Sequence, residues 1–338
     1  MKSLAIFAIA IKSIFLFSTP CLADEASVTL SAFNIQVFGR TKAQKATVMK
    51  QLAKILNRNE LTFVQEIRDQ SNRSIHQLLD QANERNAKPL SLALSEPIGR
   101  TNSKEQYAYI YDDEALSLVG VEVYQDLQDD FEREPYIGIW ENPFGYRFAT
   151  IGLHARPSDV YRELASLPRV LSYVRNQWDL DDIMIMGDLN ADCNYYNPER
   201  NGFTMIDPEV WVWIENEADT TVTPTNCAYD RFLTVGDLKH YVVETEVFDF
   251  QKAYRLSTAT AKQVSDHYPI EISLKLPTSQ DGGDFQYDPL PRPHYPLPTP
   301  VTPTGPRCGK SPYITPKHYC FSDVDGWLVR VSDSCCFE

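Results

Sequence analysis

The stretch Met184-Ile185-Met186-Gly187-Asp188-Leu189-Asn190 puts a carboxylate and a carboxamide two residues apart, just past an apolar run. A run of this kind, closed by a glycine, reads as a strand from the middle of a sheet. Asp188 at its end can hold a hard divalent cation. Asn190 can donate to a phosphate oxygen while accepting from a water. The pairing suits metal-assisted phosphodiester hydrolysis. As a pattern G-D-x-N is short, so its meaning depends on what other strands deliver beside it.

Four other strand ends carry chemistry. Glu66 closes Phe63-Val64-Gln65, and His154 follows the apolar stretch 148–153. Asp266-His267 stands immediately before a strand at 268–276, and Asn34 follows Phe33 at the end of the first strand. Taken singly, each is a solvated strand tip or a structural histidine. Asn, Glu, His, Asp and Asp-His at the ends of five separate strands read together as one site.

The elements that must position these groups alternate along residues 28–276. Strands are expected at 28–34, 61–65, 107–111, 116–124, 136–140, 146–154, 183–186, 231–235, 241–246 and 268–276, many rich in aromatic and β-branched residues. Amphipathic helices are expected at 41–58, with Val48, Leu52, Ile55 and Leu56 on one face, at 73–82, and at 158–177 behind a Ser158 cap. About 250 residues with this many strands suit a two-layered sheet core flanked by helices.

The two ends of the chain read differently. Residues 1–23 combine Lys2, a short apolar core broken by Lys12, and Ala23, the parts of a secretory signal. Cys21 leaves lipidation open, although Thr19-Pro20 fits it poorly. Cleavage after Ala23 leaves six of the seven cysteines, and export with an even number argues for disulfides. Residues 277–306 hold nine prolines and read as an extended spacer. The tail, 307–338, carries Cys308, Cys320, Cys335 and Cys336 without C-x-x-C spacing, so two disulfides stapling a mini-domain are expected rather than zinc. No other segment approaches membrane length. Asn72-Arg73-Ser74 is a glycosylation acceptor if the host is eukaryotic.

The formal charge is −14, and losing the signal removes two lysines and no acid, which leaves about −16. Polyanion binding normally rests on a basic footprint. Either the substrate is not nucleic acid, or divalent cations and local arginines offset the acidic surface.

Several segments carry a specific resemblance. They are Phe33-Asn34-Ile35 with Phe38-Gly39; Gln65-Glu66-Ile67-Arg68-Asp69; Ser95-Glu96-Pro97-Ile98-Gly99-Arg100; and Lys104-Glu105-Gln106-Tyr107. Arg133-Glu134-Pro135, Leu153-His154-Ala155-Arg156-Pro157, Gly187-Asp188-Leu189-Asn190, Asn226-Cys227-Ala228-Tyr229-Asp230-Arg231 and Ser265-Asp266-His267-Tyr268-Pro269 continue it. In this order the chain resembles the secreted deoxyribonuclease I family of the endonuclease/exonuclease/phosphatase superfamily, over essentially all of 28–276. The resemblance implies a four-layered α/β sandwich of two packed, mainly antiparallel β-sheets flanked by helices. It also implies a secreted, monomeric, metal-dependent endonuclease leaving 5′-phosphorylated DNA, extracellular or, in a Gram-negative host, periplasmic.

By the same resemblance Glu66, Asp188 and Asp266 hold Mg²⁺, with Mn²⁺ tolerated, and Ca²⁺ supports the structure. His267 with Asp230 and His154 with Glu105 form two histidine–carboxylate pairs, one activating water and the other protonating the leaving oxygen. Asn34 and Asn190 hold phosphate oxygens in the transition state. Arg68, Arg133 and Tyr195 face DNA, and Cys193 pairs with Cys227. Three departures stand out. The loop Gln125-Asp126-Leu127-Gln128-Asp129-Asp130 has no cysteines where animal enzymes have a small disulfide; it reads as a solvated loop, with calcium binding left open. Gln36 and Ser103 replace an arginine and a tyrosine that touch the minor groove, which predicts weaker duplex preference. Actin binding does not carry over, because its surface residues lie outside these motifs. Two other readings remain: a superfamily phosphodiesterase or phosphatase for lipid or sugar phosphates, and a non-catalytic binding protein retaining the fold.

Overall fold

The structure is a computed structural model. It describes residues 27–278 except 85, 87, 88 and 103, together with two short strands near the C-terminus. The signal at 1–23, the spacer beyond 278, most of the tail with its cysteine pairing, and Ser103 lie outside the described residues.

Among the described residues, twelve strands lie between 27 and 278: β1 (Ser27–Phe38), β2 (Leu61–Ile67), β3 (Leu90–Leu94), β4 (Gln106–Asp112), β5 (Ser117–Val123), β6 (Tyr136–Glu141), β7 (Arg147–Gly152), β8 (Ile183–Asp188), β9 (Trp211–Trp213), β10 (Asp230–Val235), β11 (Val242–Val247) and β12 (Ile270–Lys275). Seven α-helices and a 3-10 turn (Gly236–Tyr241) join them among the described residues: α1 (Arg40–Ala43), α2 (Ala46–Leu56), α3 (Arg73–Asn83), α4 (Val160–Trp178), α5 (Pro198–Asn201), α6 (Phe250–Ala253) and α7 (Thr258–Val264). In the tail, β13 (Tyr319–Phe321) and β14 (Leu328–Arg330) pair antiparallel.

The strands form two six-stranded sheets, ordered β11-β12-β1-β2-β4-β3 and β5-β6-β7-β8-β10-β9. Each sheet has one parallel pair, β1/β2 in the first and β7/β8 in the second, and the other pairings are antiparallel. Three apolar layers hold them together. Helices α2, α3 and α7 bury Val48, Leu52, Ile75, Leu78 and Val264 against the outer face of the first sheet. Between the sheets lie Leu30, Phe63, Tyr109, Trp140, Met184 and Met186. On the outer face of the second sheet α4 buries Leu164, Leu167, Val170 and Leu171. Full burial of each such side chain is worth about 1.5–3 kcal/mol. This is the four-layered sandwich expected from the sequence.

The differences from the expected elements have local causes. The helix expected at 41–58 breaks between α1 and α2, where Lys45 is extended (φ −88°, ψ 95°). The break lets Lys42 turn back on β1: its buried ammonium donates to the carbonyls of Ile35 and Gln36 at 2.8 and 2.7 Å. Strand β1 does not end at Asn34. It continues to Phe38 through an irregularity in which Gln36 and Val37 take φ of 43° and 48°. No side-chain cap starts α4; Asp159 precedes it, and Glu163 in its first turn accepts the backbone N–H of Glu132 and Arg156 instead. Short elements β3, β9, α6 and α7 carry too few residues for a periodic signal.

Candidate active site

The chemical groups gather at the ends of the two parallel pairs. β1 and β2 bring Asn34 and Glu66 from the first sheet. β8 brings Asp188, and His154 follows β7 by two residues. Asp230 opens β10, directly opposite Asp188 in the antiparallel register. Gly187 makes the crowding possible: its φ is 137°, and a Cβ there would stand 2.2 Å from the Leu153 carbonyl oxygen. The glycine of G-D-x-N is thus a spacing residue between strand ends.

Asp188 is the hub. The Nε2 atoms of His154 and His267 each lie 3.5 Å from its Oδ2. Behind each imidazole a second carboxylate fixes the ring, Glu105 on His154 Nδ1 and Asp230 on His267 Nδ1, both at 2.8 Å. Asn34 Nδ2 donates to both Glu66 Oε1 and Asp188 Oδ2 at 3.1 Å, which draws the two carboxylates together. The backbone N–H of Gln36 donates to Asn34 Oδ1 and so orients that amide. Asn190, at φ 49°, donates its backbone N–H to Asp188 Oδ1 and its side-chain NH₂ to the Ala155 carbonyl.

The electrostatics follow from this packing. Burial opposes charge on both histidines, but at His154 the contact and charge of Glu105, with Asp188, together raise that imidazole above its ordinary value. At His267 burial is outweighed further, by Asp230 with Asp188 and Asp266, and the group moves well above its ordinary value. Glu105 resists burial because His154, Arg133 and Arg68 lower it. Asp230 is raised, chiefly by burial. Burial brings Lys42 down to about 8 against the pull of Asp266 and Glu66.

The remaining expected residues take distinct places. Arg133 is buried, with Nε 2.9 Å from Glu105 Oε2 and Nη1 donating to the His154 carbonyl at 3.0 Å. Arg68 is more exposed and reaches Glu105 at 3.4 Å and Glu66 at 3.8 Å. Tyr195 is exposed and stacks on Tyr229, whose ring lies 6.3 Å from His267. Cys193 and Cys227 form a disulfide. The acidic loop is not simply solvated. Asp126 caps the N–H groups of Gln128 and Phe131, Asp129 pairs with Arg100, and Asp130 pairs with Arg162 and Arg169.

Sequence reasoning missed several positioning groups. Buried Gln65 donates to the Leu153 carbonyl and accepts the Asp188 N–H, bridging the sheets beneath the site. Tyr107 accepts the His154 N–H. The Ser265 hydroxyl donates to the Asn34 carbonyl and accepts the His267 N–H. Thr220 accepts the N–H groups of Tyr229 and Asp230. For Gln65 and Ser265 the signal is a neutral polar residue adjoining Glu66 or Asp266, and Thr220 carries none.

Residues 31–267 match the model of the endonuclease/exonuclease/phosphatase family. The chain belongs to that family. Its deoxyribonuclease I-like character appears in curated relatives. Deoxyribonuclease-1 of the horse, Equus caballus, is 39% identical over 260 residues, covering 73% of this chain and 92% of the relative. The human protein of that name is 38% identical over 266 residues, covering 75% and 94%. Among solved structures, a family protein from Leptotrichia buccalis superposes with TM-score 0.54 at 13% identity, covering 74% of this chain and all of that one. An endonuclease/exonuclease/phosphatase from Bacteroides vulgatus gives 0.53 at 12%, covering 75% and all of that chain.

A divalent cation fits the family site in this chain. Asp188 and Glu66 offer carboxylate oxygens drawn together by Asn34. Asp266 Oδ1 is buried and without a hydrogen-bond partner among the described residues. An all-oxygen donor set suits a hard cation. A second grouping, Asp188, Asp230 and His267, lies within 4.8 Å, but His267 Nδ1 is already engaged by Asp230. Asp188 is common to both.

Proposed function

We propose that the protein is a secreted, metal-dependent endonuclease that hydrolyses DNA and leaves 5′-phosphorylated ends. The observation that carries this reading is the convergence of two carboxylate-held histidines on Asp188 Oδ2, each at 3.5 Å. Two imidazoles facing one point can divide the proton work. One takes a proton from the attacking water, and the other gives one to the departing 3′ oxygen. Glu105 and Asp230 fix the tautomers that make this division possible. Asn34 and Asn190 bind the non-bridging phosphate oxygens. Arg68 meets the DNA backbone, and Tyr195 offers a ring for stacking at the rim. Arg133, which contacts Glu105 and the His154 carbonyl, serves DNA through the position of His154.

Glu66, Asp188 and Asp266 hold Mg²⁺, with Mn²⁺ tolerated; bound there, the cation supplies charge stabilisation to the phosphate. Ca²⁺ is the structural ion. Secretion is supported by the leader-like residues 1–23 and the Cys193–Cys227 disulfide. The working form is a monomer, the spacer covers 277–306, and the tail at 307–338 is dispensable for hydrolysis. Asn142 Nδ2 donates to the Pro277 carbonyl, so a truncation is best placed after Thr278. That form should stay soluble and active; loss of either would tie the tail to the catalytic portion.

The deciding experiment is nicking of supercoiled plasmid with Mg²⁺, with and without chelator, followed by end-labelling of the products. Chelator-sensitive nicking with 5′-phosphate ends is expected. Absence of nicking, with hydrolysis of a lipid or sugar phosphate instead, would overturn the assignment.

A further inference from the structure

The charge of this chain is unevenly placed. Against a total of −14, residues 27–59 hold six Lys or Arg and no Asp or Glu, and residues 250–265 hold three and none. The fold brings these segments together. Val48, Leu52 and Ile55 of α2 share one apolar cluster with Phe250 of α6 and Ala261 and Val264 of α7. With apolar faces turned inward, Lys45, Lys50, Lys54, Lys252, Arg255 and Lys262 are left exposed. The Lys54 ammonium lies 3.6 Å from the ring centroid of Tyr254, which joins the outer face of α2 to the end of α6.

What sets these six apart is the absence of counter-charges. Elsewhere on the surface, Arg40, Arg100, Arg147, Arg156, Arg162 and Arg175 each pair with a carboxylate. Among the described residues none of the six does. Arg58, at the far end of α2, is committed to Glu271 at 2.6 Å and marks where the face stops.

The face begins beside the active site. Lys45 directly precedes α2, and Lys42, three residues earlier, holds the carbonyls of Ile35 and Gln36. Lys262 lies in the last turn of α7, just before Ser265, which bonds the Asn34 carbonyl. From Lys45 to Lys54 the helix rises roughly 14 Å at 1.5 Å per residue, about the length of four base pairs of duplex.

We propose that the outer face of α2, α6 and α7 binds the phosphate backbone of duplex DNA flanking the cleaved bond. This rests on the endonuclease reading and explains how so acidic a protein keeps a polyanion. Along this face six cations carry no ion-paired carboxylate among the described residues, while the net negative charge of the chain repels DNA from other directions.

The test compares Lys50→Gln/Lys54→Gln/Lys262→Gln with a control of equal charge change, Lys239→Glu/Lys275→Gln, with Lys239 in the connection between β10 and β11 and Lys275 at the end of β12, both remote from the site. KM and kcat are measured on linear duplex of plasmid length and on an eight-base-pair duplex, across a range of salt. For the triple variant KM on long DNA should rise about tenfold with kcat unchanged. Its log–log dependence on salt should become shallower by about 2–3, since each phosphate contact contributes about 0.9. The short duplex should show neither effect. Lys252→Gln/Arg255→Gln should give a smaller change in the same direction. The proposal is overturned by equal shifts in the control, by equal shifts on the short duplex, or by no shift. Binding of the wild type to phosphatidylserine vesicles, lost in the triple variant while long-DNA kinetics stay unchanged, would assign the face to lipid and also overturn it. A wild type that cuts neither DNA with Mg²⁺ would instead fail the endonuclease reading.

Discussion

Behind Glu105 stand two guanidinium groups, Arg133 at 2.9 Å and Arg68 at 3.4 Å. Behind Asp230 there are none in ion-pair reach among the described residues, and its Oδ1 is buried without a hydrogen-bond partner. The two histidine–carboxylate pairs share one distance, 2.8 Å, and one target, Asp188. Their surroundings separate them. Glu105 is held below its usual range, so the His154 half carries its own compensation. Asp230 is pushed up, and His267 sits among Asp230, Asp188 and Asp266. The His267 half is short of positive charge, and a cation among the nearby carboxylates would restore it. Similar dyads can therefore play different parts because of what lies one layer behind them.

The hardest test of this comparison removes each dyad. His154→Ala or His267→Ala should lower plasmid nicking by two to four orders of magnitude with the melting temperature nearly unchanged, if each is the proton-transfer group proposed above. A variant nicking at close to the wild-type rate would remove that histidine from the mechanism. The covalent brace comes next. Cys193–Cys227 flanks Asp188, Asn190 and Asp230, and closes a loop with a sequence separation of 34. Replacing both cysteines by serine should cost about 3–4 kcal/mol in denaturant unfolding. A loss below 1 kcal/mol would show that the loop is held without it.

The third test addresses the guanidinium asymmetry. Arg133→Gln should lower the rate roughly 10- to 100-fold. Arg133 opposes charge on His154, so its removal should raise the His154 ionisation while leaving His267 in place, read by NMR of the ring protons of the metal-free enzyme. Movement of both would mean the dyads are not separable. The sign for stability follows from Glu105. Its depressed ionisation contributes stability above the usual carboxylate range, lost as pH falls through the folded-state value. The variant should lose that contribution at a higher pH than the wild type.

The smallest effect concerns Glu163, also on the His154 side, which burial raises to about 7. A carboxyl raised on folding binds its proton more tightly when folded. Its ionisation therefore removes stability as pH climbs from about 4.5 to 7. Glu163→Gln keeps an acceptor for the Glu132 and Arg156 N–H groups. It should gain about 1 kcal/mol at pH 8.5 and nothing at pH 4. An equal gain at both would assign the effect to packing.

Much of this arrangement was legible in the chain. Apolar runs closed by Glu66 and Asp188 could be read because strand length and residue type change together at those points. His154 and His267 could be read because ionisable side chains at strand ends meet when strands align, whereas Asp230 was reached only through the family resemblance. Arg133 was less legible, since an arginine in a loop reads as surface until the structure turns it inward on Glu105. Gln65, Ser265, Thr220 and Lys42 act through contacts between distant segments, and neutral polar residues leave no periodic trace. The break after α1 was likewise not legible, because it goes with a tertiary contact of Lys42 on β1 that a continuous helical pattern does not show.

The division of the site between two sheets has a consequence for how the enzyme comes into being. Asn34 and Glu66 belong to one sheet, Asp188 and Asp230 to the other, and Gln65 is a buried hydrogen-bonded tie between them. A collapsed chain with its strands formed but its sheets not yet docked has every reactive group and no reaction centre. Hydrolytic competence therefore requires the two sheets to be docked, and a chain in which they are not docked stays harmless to the nucleic acid around it.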